Sequence, residues 1–359
     1  MGALLNKYCS TKLILLLHKL IYSLLVLLGV VSLVFLLFQG FGDPARMIVG
    51  QTGDKKTLEN IRKDLYLDQP KWKQFVLYVN DVSPICIYQK EEVKKKNLQG
   101  IFIGNDIQLG LKIPYLGKSY QTKKKVSAVL MEALPGTLLL AIAAMLFASC
   151  IGISLGIIAA VKKGSWLDTT AIFSSIAGIS APSFFMAILI AYIFGVVLHP
   201  YTNLHLTGSW FDIDEVTGEK YLTLQNGILP AITLGLRPLA IITQLTRSAM
   251  LDVLEQDYIR TAYAKGLPKI KVVVFHALPN ALNPVVTAIT GWFAELLAGA
   301  FFIEYIFGWS GIGKITVDAL GKLDYPVVMG AVLISACIFI AINILANKLY
   351  ALLDPRVDN

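Results

Sequence analysis

The sequence predicts an all-α, polytopic membrane protein of about six transmembrane helices with one small external insert. Three observations carry this. The 359 residues are 55% hydrophobic and only 16% charged, with a mean hydropathy of +0.64, whereas soluble domains carry about 25% charged residues. Apolar runs near the ~20 residues that cross a bilayer recur along the chain. Basic residues sit in short segments beside those runs, as the positive-inside rule describes. The formal charge of +8 is thus accounted for by anionic lipid; no basic stripe interleaved with aromatics points to nucleic acid.

Residues 1–19 are polar and basic (Lys7, Lys12, Lys19), and Leu20–Phe38 is almost wholly apolar. A signal peptide has an apolar region of about 7–15 residues and a small-residue cleavage site, so 1–38 reads as an internal N-terminus and a retained first span. Residues 39–125 form an external segment. Leu58, Ile61 and Leu65 make one amphipathic stripe; Trp72, Phe75, Val76 and Val79 make another, after Pro70 as a plausible first helical residue. The stretch 83–106, with Lys94, Lys95 and Lys96, reads as an insertion, and the whole segment as a lid on a five-helix core, 126–353.

Within the core, Leu134–Val161 is the second span, rich in small residues that let helices approach closely. Ala171–Leu198 is the third. Pro182 inside it removes a backbone donor and should kink the helix, which makes it a candidate for lining a pathway, although packing kinks are commoner. A polar, acidic loop (Asp212, Asp214, Glu215, Glu219) leads to the fourth span, Ile228–Thr246. Arg237 inside it must face protein or a water-filled cavity. The fifth span, Ala281–Ile303, carries Glu295; Arg237 and Glu295 are candidates for lining a passage or for pairing with each other. A hairpin, Glu304–Pro326, a sixth span, Val327–Leu353, and a tail, 354–359, complete the chain. Lys162, Lys163, Arg247, Arg260, Lys265, Lys269, Lys271, Lys348 and Arg356 mark the internal side, so both termini are expected in the cytoplasm.

The longest basic break in the second half is Asp257–Pro284, which overlaps a loop region 247–280. Leu251, Leu254, Tyr258 and Ala262 recur at helical spacing with charged residues opposite. Gly266 suits the left-handed turn that ends a helix, and Pro268 stops its continuation. A helix, a glycine turn and a second helix on the membrane surface result; the plainer alternative is a connecting loop. Elsewhere chemistry is scarce. Cys9, Cys86, Cys150 and Cys337 have no metal spacing, and His18, His199, His205 and His276 form no cluster. Gly308–Ile315, GWSGIGKI, approaches the phosphate-loop pattern but has Ile315 where a hydroxyl belongs, and no strand precedes it. With no paired carboxylates, no nucleophile beside a base and no cofactor motif, the chain reads as a non-enzyme.

The loop resembles the cytoplasmic signature of ABC importer permeases, Glu-Ala-Ala-x3-Gly-x9-Ile-x-Leu-Pro. Anchored on Gly266, the opening triplet falls on Arg260, Thr261 and Ala262, and the close on His276, Leu278 and Pro279. The triplet departs at its first two members and His276 replaces Ile, yet RTAYAKGL is close to the peptide-importer form. The strings GDPA (42–45), LYLDQPKWKQFVLYV (65–79), FIEYIFGWSGIGKI (302–315), DYPVVMG (324–330) and LYALLDPR (349–356) are similar to segments of the dipeptide/oligopeptide/nickel importer group. Ser310 stands where that group commonly has Pro. A motif near Gly-Asp-Leu-Gly-x-Ser survives only as Leu116-Gly117-Lys118-Ser119, with Tyr115 in the Asp place. The resemblance implies a type I importer permease in a bacterial cytoplasmic membrane. It also implies partners: two ATPase subunits, a related second permease and an external solute-binding protein. Signature-loop residues, Lys265 among them, would take the push of the ATPases. Peptide is the expected solute, with nickel open; a secondary transporter, the rival class, would need mid-membrane ion groups and usually paired halves.

Overall fold

A computed structural model describes residues 21–37, 45, 59, 62, 66–213 and 218–353. The chain divides into two compact units, 1–132 with 318–337, and 133–317 with 338–359.

In the first unit, α1 (Ile21–Leu37) is an apolar helix. Its Phe35 meets Phe75 edge-on at 5.2 Å and stacks on Tyr78 at 6.0 Å, both from α2 (Lys71–Val82), which Pro70 caps in extended conformation. The expected stripe is therefore rotated: Phe75 and Tyr78 pack on α1, while Trp72 and Val76 are exposed. The stripe of Leu58, Ile61 and Leu65, the basic N-terminus and the tail lie outside the described residues.

The stretch 83–106 is folded, as part of a small sheet that continues to Lys112. This folded region consists of β1 (Ile85–Gln89), α3 (Lys90–Lys96), β2 (Gly100–Ile103) and β3 (Ile107–Lys112), forming an antiparallel sheet of order β1-β3-β2. The lysine cluster ends a helix whose first turn holds Glu91 and Glu92, an arrangement that complements the helix dipole. Lys96 turns inward and pairs with Asp81 at 2.6 Å, with the rings of Tyr88 and Tyr115 5.1 Å and 5.5 Å from its ammonium. Beyond the sheet, the surviving Leu116–Ser119 motif meets the closing motif. The buried Asp324 carboxylate accepts the Ser119 hydroxyl, the Tyr120 N–H at 2.9 Å and the Gln121 N–H at 3.4 Å.

The remaining helices are α4 (Val126–Val161), α5 (Trp166–Ser180), α6 (Ser183–Tyr192), α7 (His199–Thr202), α8 (Ile228–Leu254), α9 (Asp257–Ala264), α10 (Lys269–Val272), α11 (Leu278–Gly299), α12 (Phe301–Ile306), α13 (Ile312–Gly321) and α14 (Tyr325–Leu353). A short hairpin, β4 (Phe211–Ile213) with β5 (Lys220–Leu222), follows α7. Among the described residues four helical segments are long and apolar enough to span a bilayer: Val126–Val161, Leu224–Leu254, Lys269–Leu297 and Tyr325–Ala346. A fifth is formed by α5 and α6 if they count as one, and α1 is a shorter apolar helix.

The third span differs from its expectation. It is not one kinked helix but two, bent by 109° at Ala181–Pro182. Proline disfavours helical backbone in the residue before it, and Ala181 and Pro182 are both extended, at ψ 132°. Pro135, Pro238 and Pro284 stay inside their helices. In the second unit α4 packs on α8 around Leu140, Ala144, Ala148, Leu234 and Ile242. Gly152 and Gly156 make this approach close: a Cβ on Gly156 would lie 2.8 Å from the Thr243 carbonyl oxygen, and one on Gly152 3.0 Å from that of Leu239. This is the small-xxx-small packing of helices in lipid.

Candidate functional site

The basic break folds as a helix, a left-handed turn and a helix. It is not, however, continuous with the helix before it. α8 ends at Leu254, and extended Gln256 starts α9 afresh, so the stripe from Leu251 to Ala262 crosses a break. Ile259 and Ala262 are the residues that α9 buries, while Tyr258 is 45% exposed. They join Met250, Val272, Val273, Ala277 and Ala281 in a compact apolar cluster.

The turn closes by two bonds, Gly266 N–H to the Tyr263 carbonyl at 2.9 Å and Leu267 N–H to the Ala262 carbonyl at 3.4 Å. Leu267 packs on the same cluster. This is a Schellman motif. Gly266 adopts φ +76° with open space around it, so the requirement for glycine is conformational and not steric. Pro268 caps α10, which widens into a π turn over Val273–Ala277 before α11 begins at Leu278 and Pro279.

The outer face of this module is charged and aromatic. Arg260, Thr261 and Lys265 are exposed. Arg260 pairs with Asp257 at 3.3 Å, both side chains mostly in solvent, an arrangement worth little to stability. Ile270 and Phe275 project 79% and 69% exposed. His276 is half-buried in the π turn, and its carbonyl accepts the Asn280 amide at 3.0 Å. The arrangement offers a basic, partly apolar surface on a short, well-anchored helix pair.

A second site lies in the same unit. Arg237 and Glu295 line one cleft of about 100 Å³, together with Ala181 and Ser183 on either side of Pro182. Two of the candidates from the apolar spans, and the residues flanking the third, thus converge. Of the two alternatives, pairing of Arg237 with Glu295 is absent among the described residues; the guanidinium instead sits 5.5 Å from the Trp292 ring centroid, a cation–π contact.

Two polar constellations are not legible in the sequence. Arg247 and Asp168 form a bidentate ion pair between α8 and α5. Glu304, on α12, is fully buried. Its carboxylate accepts the Thr137 hydroxyl at 2.8 Å and the backbone N–H groups of Gly313 and Lys314 at 2.7 Å and 3.2 Å. The imitation phosphate loop therefore does cradle an acidic group, and the group is the chain's own Glu304 carboxyl. A Cβ on Gly311 would lie 2.3 Å from Glu304 Oε2. Burial outweighs the three donors and pushes the Glu304 carboxyl up to about 7. The available signal was an acid seven residues before a glycine pair at the start of a helix.

Residues 152–359 match the model for the "Binding-protein-dependent transport system inner membrane component", and residues 12–91 match that family's N-terminal model. A dipeptide transport system permease protein of Alkalihalophilus pseudofirmus is 32% identical, over 98% of each chain. A di/tripeptide transport system permease protein of Pseudomonas aeruginosa is 37% identical over 92% of this chain and 94% of its own. A dipeptide transport system permease protein of Haemophilus influenzae is 43% identical over 71% and 79%.

Proposed function

Because the chain belongs to the binding-protein-dependent transport system inner membrane components, we propose that it is the permease subunit of an ATP-driven importer carrying dipeptides or short oligopeptides. It is a multi-pass membrane protein that works with other ABC components. In this reading two ATPase subunits hydrolyse ATP, a second permease completes the passage and an external solute-binding protein delivers peptide. With six spans and both termini in the cytoplasm, the α9–α10 module lies inside, where the ATPases dock.

One observation carries the reading. The module has an exposed face bearing Arg260 and Lys265 and a buried face fixed by Ile259, Ala262 and Leu267. A push on the first face is delivered through the second, by way of Met250 and Ala281, to α8 and α11. Those two helices carry Arg237, Trp292 and Glu295 of the cleft. Coupling of this kind needs an element with two states that both sites bias; the bundle, open inward or outward, supplies it. The chain itself performs no chemistry.

Co-purification from native membranes tests the reading. Two ATPases and a sister permease are expected; isolation of the chain with neither removes it. Competition for uptake between a dipeptide and nickel then identifies the solute class.

A further inference from the structure

One face of the three-stranded sheet is aliphatic, and it is bare. The register places Ile85, Leu111 and Ile101 in one row and Ile87, Leu109 and Ile103 in the next. All six point the same way, because side chains alternate along strands. They are 57–75% exposed. The opposite face is already occupied: Cys86, Tyr88 and Lys112 are buried there, with Tyr88 and Lys96 of α3 packed together and Asn80 of α2 bonded to the Ile87 backbone at 2.9 Å. Soluble surfaces rarely carry a contiguous aliphatic patch of this kind.

We propose that this face lies on the bilayer surface at the C-terminal end of α1, seated at the boundary of lipid headgroups and acyl chains. Three observations favour lipid over a protein partner. Depth is the first: α2, which backs the sheet, packs through Phe75 and Tyr78 on Phe35, near the end of the apolar helix α1, and so holds the sheet level with the edge of the hydrocarbon layer. Composition is the second. The six residues are Ile and Leu alone, without the Tyr, Trp or Arg that anchor protein interfaces. Charge is the third. Residues 83–125 carry nine lysines (90, 94, 95, 96, 112, 118, 123, 124, 125) against Glu91, Glu92 and Asp106, a balance of +6 within a chain of +8. Lys118, Lys123 and Lys124 are exposed in the stretch that follows the sheet in sequence and leads to α4, and a lysine-rich segment following an apolar sheet suits anionic lipid phosphates. The chain thus holds a lipid contact outside its spans.

The test is nitroxide depth measurement on the full-length chain, in its transporter complex and alone. The background carries alanine at the four cysteines, and single cysteines are placed at Ile103 or Leu109, with Asn105 as the solvent control. In phosphatidylcholine vesicles containing phosphatidylglycerol, labels at 103 and 109 should be relaxed by oxygen more than by a water-soluble nickel chelate. Their depth should be about 5–10 Å below the phosphates, with the label at 105 in water. Equal access of the chelate to 103, 109 and 105 overturns the proposal. So does protection that appears only in the complex, which assigns the face to a protein partner. Should labelling disturb the fold, Leu109→Trp read by brominated-lipid quenching asks the same question, and an indole that stays unquenched likewise overturns the proposal.

Discussion

Arg247 grips Asp168 with both arms of its guanidinium, Nε to Oδ1 at 2.5 Å and Nη2 to Oδ2 at 2.9 Å. The Gly164 N–H donates to the same carboxylate at 2.9 Å. The fork ties the start of the broken α5–α6 pair to α8, three residues before the Met250 that anchors the basic module. Removing the carboxylate strands a guanidinium whose side chain is only 23% exposed.

Asp168→Ala is therefore expected to destabilise the protein by about 2–3 kcal/mol, the worth of charge-assisted hydrogen bonds. Arg247→Lys should lose less, since charge survives and only the planar fork is gone. Thermal unfolding in detergent measures both, and equal losses would count against the bidentate geometry.

At Gly266 the constraint is backbone conformation, because open space surrounds the site. A left-handed backbone costs an L-residue roughly 1–2 kcal/mol, and Asn tolerates it best. Gly266→Val should abolish uptake with normal membrane insertion, whereas Gly266→Asn should keep most of it. Normal transport in the valine variant would dismiss the module from coupling.

Glu304 predicts a pH dependence. Its carboxyl titrates at about 7 in the folded protein and near 4.3 when unfolded. The native state holds the proton more tightly, so this stability, of order 3 kcal/mol, is fully present below pH ~4 and lost as pH rises through about 7. The thermal midpoint should fall across that window, and Glu304→Gln should flatten the slope. Glu304→Ala should unfold the hairpin region, since it leaves three buried donors unmet at about 1–3 kcal/mol each. An unchanged slope in the glutamine variant would clear Glu304 of the effect.

Arg237→Gln and Glu295→Lys each alter the cleft beside the helix break and touch no ion pair among the described residues. Both should lower peptide uptake severalfold while leaving the amount of inserted protein unchanged. Uptake at the parental rate in both variants would remove the cleft from the pathway.

Spans and the signature turn were legible because both rest on local rules: long apolar runs have few alternatives in lipid, and Gly266 followed by Pro268 leaves a helix little choice. Pro182, Arg237 and Glu295 were legible only as a set of costly residues; that Arg237 and Glu295 share a cleft with the residues flanking Pro182 depends on packing. Four features were opaque for distinct reasons. In 85–112 the strands are short and only β3, IQLGLK, alternates apolar with polar residues, so period two had too little length to announce a sheet. Pro182 announced a bend but not 109°, whereas Pro135, Pro238 and Pro284 look alike in sequence and keep their helices. Gln256 carries no helix-breaking character, so the restart of α9 was hidden. The bonds from Asp324 to Ser119 and from Glu304 to Thr137 join residues 205 and 167 positions apart, beyond the reach of any periodicity.

The break at Pro182 has a consequence for hydration. α6 starts with no side-chain cap, and the first N–H groups of a helix have no partner within it, as do the last carbonyls of α5. Hydrocarbon cannot satisfy such groups, each of which costs several kcal/mol when left dry. Water or a passing solute must therefore reach the peptide backbone between Ser180 and Phe185. A polar notch at that level would open beside Arg237 and Glu295, which line the same cleft as Ala181 and Ser183, and would bring solvent to main-chain groups inside an otherwise apolar span.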